Sequence, residues 1–561
     1  MKDLPVGTNS FSKIIEDGHI YVDKTKYLYN IIKKKLPHFL SRPRRFGKSL
    51  LLDTLKEIFL GHRNLFEGLY IYDQPYDWEP HPVIHLDMST IDYSSPEELN
   101  ISLLSDLRTF AKKENFDIAD NKPVDFFKRL LEDLSAMYGE KRVVVLIDEY
   151  DAPILRNIPN SGLAEDIRDA LKLFYSVLKS KEALLRFIFI TGITRFTKTS
   201  IFSDLNNLRD ITLHPKYPNV CGFTIDEFDA HFQEHMEDAL EPLIKRKSLA
   251  LGSSVDDLRA KLLEWYDGYS WDGTTKVLNP WSVLNFFDLQ KFDNFWFESG
   301  TPKFLVDLIK ERKMTLDLFD NDSTIITNSL NNVDIDNFEP IPVMFQAGYL
   351  TVDQIENEEY LLVLPNLEVK SSLFSNLLSL KTSFKTISKL KAHAEVLHKA
   401  LSQKNARDIE TSFGKFLSSV SLQLHNPKES YYQTLFMFAM TLVNQSVKVE
   451  EASGEGFLDA SVDIPGIGVF IIEMKYLKAK DQDTEDIVTD DKVTKGKVTK
   501  VIMTEEEIND ELNKLTLEAL RQIDEKNYAD KYCTPGKKVY KMALVVYKRT
   551  TVKAVIKEIK E

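Results

Sequence analysis

The segment His38-Phe-Leu-Ser-Arg-Pro-Arg-Arg-Phe-Gly-Lys-Ser49 indicates how the first part of this chain folds. It begins within a short apolar run, residues 37–41, and a leucine-rich helical pattern starts at its last residue. A P-loop has this order, because a turn whose N–H groups bind phosphate lies between a strand and a helix N-terminus. The nucleotide-binding residues that we predict here are Arg44, Arg45, Phe46, Gly47, Lys48 and Ser49, the last as a ligand of Mg²⁺.

The loop departs from the usual P-loop pattern at one position. The glycine expected five residues before Gly47 is replaced by Arg42, and Pro43 follows it. The sequence leaves two interpretations open for Arg42, Arg44 and Arg45. They are either contacts for the phosphates or sensors of them, or ordinary side chains of a solvated loop.

A second motif lies about 100 residues downstream. The apolar run 142–147 reads as a buried parallel strand and ends in two carboxylates, Asp148 and Glu149. We predict that Asp148 holds Mg²⁺ and that Glu149 polarises the attacking water. A third strand is followed by Thr194 and Arg195, where a sensor of the γ-phosphate is expected. The plainer interpretations are a solvated turn after one strand and unremarkable polar residues after the other.

Composition excludes several classes of protein. The chain has 561 residues, of which 43% are hydrophobic and 28% charged, as in ordinary globular domains. A formal net charge of −14 argues against a protein that coats nucleic acid, although a local basic groove remains compatible with it. No apolar stretch approaches the roughly 20 residues that span a bilayer, so we expect a cytoplasmic protein without a membrane partner. Cys221 and Cys533 are too few for a disulfide framework or a zinc ribbon.

The pattern of apolar runs predicts three domains. Residues 1–222 alternate strands and helices, which indicates an α/β domain with a doubly wound parallel sheet. Residues 223–365 read as a mainly helical lid or sensor region. Residues 366–561 begin with helices and continue as an α/β domain, with a charged insertion near 477–505. The strands predicted in the first domain are 37–41, 82–87, 142–148 and 185–191.

Seven ordered motifs closely resemble bacterial AAA-ATPase-like proteins. They are Tyr21-Val-Asp-Lys-Thr25, residues 42–49, Leu146-Ile-Asp-Glu-Tyr-Asp151, Thr191-Gly-Ile-Thr-Arg195, Leu205-Asn-Asn-Leu-Arg-Asp-Ile-Thr212, Trp265-Tyr-Asp-Gly-Tyr269 and Asn279-Pro-Trp-Ser282. The resemblance covers nearly the whole chain. It implies ATP and Mg²⁺ as cofactors, the arginine-proline-arginine-arginine loop as a family trait, and a C-terminal restriction-endonuclease-like domain of the PD-(D/E)XK superfamily.

The C-terminal third carries a second constellation of charged residues. Asp459 lies on one predicted strand, and Glu473 and Lys475 lie on the next, two positions apart and therefore on one face. Paired carboxylates can bind Mg²⁺, and a nearby lysine can orient water or stabilise charge on a phosphate. Ordinary polar residues near a hairpin end are the alternative. The resemblance implies that Asp459, Glu473 and Lys475 are the core of a nuclease site, supported by Glu429 and Gln522.

These motifs together predict an ATP-binding and ATP-hydrolysing protein coupled to a metal-dependent nuclease-like domain. Its partner would be nucleic acid, DNA rather than RNA, and defence and mobile-element control are conceivable roles. One rival is a signalling or scaffold ATPase that forms homo-oligomers and whose C-terminal domain binds a partner without cleaving it. A second rival is a protein that binds nucleotide without hydrolysing it. The presence of Glu149, a residue suited to polarise the attacking water, argues against this rival.

Overall fold

The structure is a computed structural model of the 561-residue chain. It describes residues 1–139, 142–158, 160–196, 201–202, 205, 207–246, 248–249, 251–296, 325–327, 330, 339–373, 384–420, 428–443, 445, 447–453, 456–464, 466–478, 504–533 and 537–559. These residues divide into two compact units. The first contains the described residues through Lys370, and the second those from Ser371.

A five-stranded parallel sheet forms the centre of the first unit. Its strands are β1 (His38–Ser41), β2 (Val83–Asp87), β3 (Val143–Asp148), β4 (Leu185–Gly192) and β5 (Arg209–Asp210), in the order β2-β3-β4-β1-β5. All pairings in the sheet are parallel. The carboxyl ends of β1, β3 and β4 therefore meet at one edge, and this edge is where the loops after them converge. The short strand β5 was not predicted.

Helices cover this sheet, as the sequence predicted. They are α1 (Phe11–Glu16), α2 (Thr25–Ile32), α3 (Lys48–Phe59), α4 (Pro96–Lys113), α5 (Pro123–Tyr138), α6 (Ala152–Asn157) and α7 (Ser161–Ser180). Helices α3 and α5 both pack against β3, and every residue of β3 is buried. The uninterrupted apolar run of β3 follows from this burial, because no side of the strand faces water. The predicted α/β class is confirmed.

An aromatic cluster organises the helical part of the first unit. Helices α8 (Ile225–Lys245), α9 (Val255–Tyr266) and α10 (Pro280–Leu289) pack around Phe232, Trp265 and Phe286, with Phe232 stacked on Phe287 at 5.4 Å between ring centroids. Helix α11 (Pro340–Ala347) follows and ends at Gly348.

A small antiparallel sheet also belongs to this part and was not predicted. Its strands are β6 (Ile325–Thr327), β7 (Thr351–Glu356) and β8 (Glu359–Val363), in the order β6-β8-β7. The last three residues of β7 are exposed, and they include the apolar Ile355 between two polar residues. Such a strand lacks the apolar alternation by which a half-buried strand is recognised in sequence.

The second unit is a mixed sheet with helices. Its helices are α12 (Phe384–Ser402), α13 (Ala406–Ser419), α14 (Glu429–Thr441) and α15 (Glu505–Glu525); its strands are β9 (Lys448–Ser453), β10 (Gly456–Ile464), β11 (Gly468–Leu477), β12 (Val539–Tyr547) and β13 (Thr551–Ile559). The order is β13-β12-β11-β10-β9, and only the β11–β12 pair is parallel.

Three details of the second unit differ from the prediction. The outer strands β9 and β13 were missed, and α15 ends at Glu525 rather than at Tyr528. The predicted charged insertion lies outside the described residues except at its ends. Among the described residues, no helix is both long enough and apolar enough to cross a membrane.

Candidate functional site

The loop between β1 and α3 has the shape of a phosphate cradle. Lys48, the first residue of α3, folds back over the loop, and its Nζ donates to the carbonyl oxygens of Arg42 (3.0 Å) and Pro43 (2.9 Å). Gly47 caps the helix in the left-handed conformation, with φ of 89°. The bridge made by Lys48 holds the loop open around the N-terminus of α3, where backbone N–H groups favour an anion.

Ser49 and Asp148 lie together at the carboxyl edge of the sheet. The Ser49 hydroxyl donates to Asp148 Oδ2 at 2.5 Å, and the Thr191 hydroxyl donates to Asp148 Oδ1. Asp148 is only 3% exposed, so its carboxylate is held by hydroxyl groups from β4 and α3 rather than by water. A hydroxyl and a carboxylate in contact are an oxygen pair that suits Mg²⁺. The sequence did not single out Thr191 for this position.

Glu149 follows Asp148 in an unusual backbone conformation. Its φ of 47° lies in the left-handed region, which a residue with a Cβ adopts at a cost. Burial raises the pKa of its carboxyl group, and the nearby cations Lys48 and Arg44 oppose that rise. The strained turn therefore holds Glu149 between the protein interior and the positive charges of the loop.

The end of β4 contacts the protein and not the open cradle. The Thr194 hydroxyl donates to Asp151 at 2.5 Å, and Asp151, which is fully buried, also accepts the backbone N–H of Thr194 at 2.6 Å. The Arg195 side chain forms an ion pair with Asp210. These contacts make Thr194 and Arg195 parts of the frame around the cradle, since both polar groups already have protein partners.

The backbone at Arg195 is tied to helix α11. The Arg195 N–H donates to Gln346 Oε1 at 2.7 Å, and Gln346 Nε2 donates to the carbonyl oxygen of Leu330 at 2.7 Å. Gln346 is 4% exposed. Gln346 was not predicted, because a single glutamine in an apolar helix belongs to no recognisable motif.

The sequence left two interpretations open for Arg42, a phosphate contact or sensor and a solvated side chain, and both are wrong. Arg42 is fully buried, and its guanidinium donates to the carbonyl oxygens of Ser41 and Thr212, each at 2.9 Å. It also lies 3.9 Å above the ring of Trp271. Arg42 is therefore neither a phosphate contact nor a solvated side chain, because it is fully buried and backbone carbonyl groups occupy both of its terminal nitrogens.

Aromatic residues of the helical part contact the loop residues Arg44, Arg45 and Phe46. The Phe46 side chain packs edge-on against Tyr269 at 4.7 Å between centroids. The Arg45 guanidinium lies 4.1 Å above Trp281. The Trp296 indole N–H donates to the carbonyl oxygen of Arg44 at 3.1 Å. Three of the predicted loop residues are thus fixed by side chains that are distant in sequence.

A mostly apolar pocket of about 140 Å³ opens beside Gly47. Among the residues that line it are Tyr21, Val22, Phe46, Phe223, Trp281 and Leu284. Arg45 lies at the same pocket, where it is stacked on Trp281. A flat apolar group joined to a phosphate chain fits this arrangement of an aromatic pocket next to an anion cradle.

The second unit brings Asp459, Glu473 and Lys475 together, as their spacing suggested. Asp459 on β10 accepts the backbone N–H of Met474 at 2.6 Å, which places its carboxylate against β11. Lys475 Nζ donates to Glu473 Oε1 at 2.9 Å. Burial raises the pKa of both carboxyl groups, to about 6 for Asp459 and about 8 for Glu473. The negative charge of Asp459 further raises the pKa of Glu473, and that of Glu429 raises the pKa of both. The nearby Lys475 lowers the pKa of both.

Glu429 and Gln522 lie around this group. Glu429, the first residue of α14, is 3.7 Å from Lys475 Nζ. Gln522 on α15 hydrogen-bonds the hydroxyl of Tyr528, whose pKa is raised by burial and further by the charges of Glu473 and Asp459. A residue that the sequence did not predict, Gln433 on α14, hydrogen-bonds Asp459.

The carboxylate pair fits a divalent cation. Glu473 is fully buried, and its Oε2 has no hydrogen-bond partner among the described residues. A buried carboxylate oxygen without a donor is costly unless a cation or a proton compensates it. No group of three or more His, Cys, Asp or Glu residues is gathered as a metal site in the described part of the chain. Mg²⁺ commonly needs only one or two carboxylates and completes its shell with water and phosphate.

Two families of known proteins match separate segments of this chain. The family described as Predicted AAA-ATPase matches residues 5–202, and the PD-(D/E)XK nuclease superfamily matches residues 427–555. An uncharacterized protein in the vnfD 5'region of Azotobacter chroococcum mcd 1 is 33% identical over 551 residues, which are 96% of this chain and 95% of that protein. This chain belongs to the AAA-ATPase-like family. No solved structure matches it.

The two matches divide this AAA-ATPase-like protein along its chain. The cradle, the Ser49–Asp148 pair and Glu149 lie within the first matched segment, and Asp459, Glu473 and Lys475 lie within the second. The protein therefore combines an AAA-ATPase-like domain with a nuclease-like domain.

Proposed function

We propose that this protein binds and hydrolyses ATP at the loop before α3 and that its C-terminal domain is a Mg²⁺-dependent nuclease. The observation that carries the proposal is the hydrogen bond between Ser49 and Asp148 under a loop bridged by Lys48. It joins the two halves of a nucleotide site that are 99 positions apart in sequence.

Each residue of the nucleotide site has one role in this proposal. Gly47 and the N-terminus of α3 bind the phosphates, and Lys48 adds a positive charge beside them. Ser49 and Asp148 hold Mg²⁺, which neutralises charge on the phosphates when bound. Glu149 orients the attacking water and accepts its proton. The aromatic pocket beside Gly47 receives the base, with Phe46 in its wall.

Thr194 and Arg195 act less directly in this proposal. Their hydrogen bonds to Asp151 and Gln346 support a role in holding the carboxyl edge of the sheet beside the γ-phosphate. Arg45 lies at the base pocket, where its stacking on Trp281 supports a contact with the nucleoside.

ATP binding and hydrolysis by purified full-length protein test this half of the proposal. We expect Mg²⁺-dependent release of phosphate and at least about a tenfold loss of ATP affinity in Lys48→Ala, because a buried cation that faces the phosphates is removed. The control is Lys112→Ala, an exposed residue on α4. Unchanged ATP turnover in Lys48→Ala would contradict the assignment.

The nuclease half rests on the arrangement around Glu473. Asp459 and Glu473 are proposed as the metal ligands, and Lys475 orients water or stabilises charge on the scissile phosphate. Glu429 adjusts the position of Lys475, which it approaches to 3.7 Å. Gln522 and Tyr528 flank the pair from α15 and the turn after it. DNA is the proposed substrate in preference to RNA.

Cleavage assays with DNA and RNA, each with Mg²⁺ or Mn²⁺ and with or without ATP, test this half. We expect cutting that depends on the metal and is abolished in Glu473→Ala, while Glu558→Ala, on the exposed end of β13, keeps full activity. Absence of both cleavage and metal binding under every condition would remove the nuclease activity from the proposal.

The net charge of the chain supports one alternative function. A signalling or scaffold ATPase would use its C-terminal domain only to bind a partner, which agrees with the net charge of −14. The mass of the protein in solution with and without ATP separates the two. A scaffold predicts homo-oligomers that form with nucleotide and no cutting, whereas the nuclease predicts metal-dependent cutting. A cytoplasmic location and a role in defence or mobile-element control complete the proposal.

A further inference from the structure

The three arginines of the loop have different surroundings. Arg42 is fully buried, and its guanidinium donates to carbonyl oxygens of Ser41, Thr212 and Tyr217 at 2.9 to 3.0 Å. It is a part of the protein core, and both of its terminal nitrogens donate to carbonyl oxygens, whereas its Nε has no acceptor among the described residues. Arg42 therefore cannot reach a bound phosphate without loss of several hydrogen bonds.

Arg45 is directed to the base pocket. Its guanidinium is stacked on Trp281 at 4.1 Å, and both residues line that pocket. A guanidinium held against an aromatic ring gains a cation–π interaction and is fixed in place by it. This contact keeps Arg45 on the side of the loop where the nucleoside is expected.

Arg44 differs from both. Its backbone is anchored, because its carbonyl oxygen accepts the indole N–H of Trp296 at 3.1 Å. Its side-chain Nε is buried and has no acceptor among the described residues. Its positive charge acts on Glu149, the residue proposed to orient water, where it opposes the effect of burial on the pKa. The guanidinium thus lies near the proposed water site, and its Nε–H has no acceptor in the described part of the chain.

An unused buried donor has a cost that calls for an acceptor. Leaving such a group without a partner costs about 1–3 kcal/mol, and more for a charged group. An anion in the cradle would supply the acceptor, since the N–H groups of the loop and Lys48 already favour negative charge there. Arg44 and Lys48 both act on Glu149, the residue proposed to orient the attacking water, and this favours the γ end of a triphosphate over the nucleoside end.

We propose that Arg44 is a catalytic residue that contacts the transferred phosphoryl group and supplies, within one chain, the positive charge of an arginine finger. This inference rests on the proposed ATPase function. In the reaction, the oxygen of water forms a bond to the γ-phosphorus while the bond from that phosphorus to the bridging oxygen of ADP breaks. The electron pair of the broken bond leaves on ADP, and a proton of the water passes to Glu149 and then to solvent.

Charge in this step grows on oxygens close to Arg44. The equatorial oxygens of the transferred group and the oxygen that leaves with ADP both carry negative charge in the transition state. A guanidinium that is already in place stabilises them without the cost of reorganisation. The hydrogen bond from Trp296 holds the Arg44 backbone, so that the side chain starts from a defined point.

Arg44→Ala and Arg44→Lys test the proposal by separating binding from chemistry. In single-turnover experiments with saturating ATP and Mg²⁺, we expect hydrolysis to slow by at least about 100-fold in Arg44→Ala. The dissociation constant of ATP should change by less than about tenfold, and measured binding also shows that the variant folds. Millimolar guanidinium should restore part of the rate to Arg44→Ala. Arg129→Ala, on the exposed face of α5, should match the wild type.

A mixing experiment decides whether the arginine acts within its own chain. Lys48→Ala protein, which keeps Arg44, is added in excess to Arg44→Ala protein. Because the proposed contact is made within one chain, the mixture should hydrolyse ATP no faster than its components. Recovery of the rate would assign the arginine to a neighbouring subunit and overturn the proposal.

The outcomes distinguish this inference from the function on which it rests. Wild-type protein that binds no ATP contradicts the proposed ATPase itself. If the wild type hydrolyses ATP and Arg44→Ala does so at a rate within threefold of the wild-type rate, only the role of Arg44 is contradicted. Wild-type protein that binds ATP without hydrolysing it also overturns a catalytic role for Arg44.

Discussion

The indole N–H of Trp296 donates a hydrogen bond of 3.1 Å to the carbonyl oxygen of Arg44, 252 positions away in the sequence. Next to it, Gly348 has a φ of 92°, and a Cβ at that position would lie 2.8 Å from the Pro43 side chain. The helical part therefore touches the phosphate loop through a tryptophan and a glycine. The shape of the loop depends on both.

Trp296→Phe should weaken ATP binding by about three- to tenfold. The phenyl ring keeps most of the packing but cannot donate to Arg44, and a hydrogen bond of this kind contributes about 0.5–1.5 kcal/mol. Equilibrium binding of ATP measures the effect. The matched control is Trp265→Phe, since Trp265 is buried but its indole N–H has no partner among the described residues. Equal affinities of the two variants would show that the hydrogen bond does not shape the loop.

Arg45→Ala should be less stable than Arg45→Gly by about 1 kcal/mol. Both variants lose the stacking on Trp281, but Arg45 has a φ of 66°, where only glycine is free of strain from a Cβ. Urea unfolding followed by tryptophan fluorescence measures the difference, because all five tryptophans lie in the first unit. At the exposed helical position Arg129 the order should reverse, with alanine more stable than glycine. The same order at both positions would contradict a strained loop.

Glu368→Gln should reduce the loss of stability at alkaline pH. Glu368 is fully buried and accepts hydrogen bonds from the backbone N–H of Trp296 (2.7 Å) and the Ser282 hydroxyl (2.8 Å). Burial raises its pKa from 4.5 to about 8. The pKa of Glu368 is higher in the folded than in the unfolded protein. Its contribution to the free energy of unfolding is therefore complete below pH 4.5 and is lost as the pH rises through about 8.

The glutamine variant should therefore match the wild type near pH 4.5 and exceed it by about 2–4 kcal/mol above pH 8. Urea unfolding at several pH values gives the comparison. Glu356→Gln, at an exposed position of β7, should follow the wild type throughout. A constant difference between Glu368→Gln and the wild type over this pH range would show that the carboxyl does not titrate as proposed.

Glu473→Gln should stabilise the second unit in the absence of metal. Glu473 is fully buried, its Oε2 lacks a partner among the described residues, and its charge lies beside Asp459. Removing one of two neighbouring buried carboxylates should add about 1–3 kcal/mol. Hydrogen exchange of β10 and β11 in the full-length chain, with EDTA or Mg²⁺, measures this locally. Mg²⁺ should slow exchange in the wild type and in Glu558→Gln but not in Glu473→Gln.

Much of the nucleotide site could be predicted from short segments. Lys48 and Ser49 follow a strand and begin a helix, and Asp148 ends a strand of the same parallel sheet. Parallel strands place their carboxyl ends at one edge, so the alternation of strands and helices brings such residues together without any further information. In the second unit the antiparallel pairing of β10 with β11 brings Asp459 close to Glu473.

Other features had no local signal. The exposed strands of the three-stranded sheet and the outer strands β9 and β13 lack a clear pattern, because pairing with neighbours stabilises them more than their own residues do. Gln346 contacts Arg195 across 151 positions, and neither residue type indicates that partner.

Local periodicity and chain order were enough to predict the α/β class, the order of strand, loop and helix, and which residues carry the charges. The contacts of the loop arginines became clear only from the folded unit. Arg42 is buried against Trp271, Arg45 is stacked on Trp281, and Arg44 has a buried Nε without an acceptor among the described residues. The contacts with Trp271 and Trp281 join residues more than 200 positions apart, so they depend on the packing of the whole unit and the loop sequence does not indicate them.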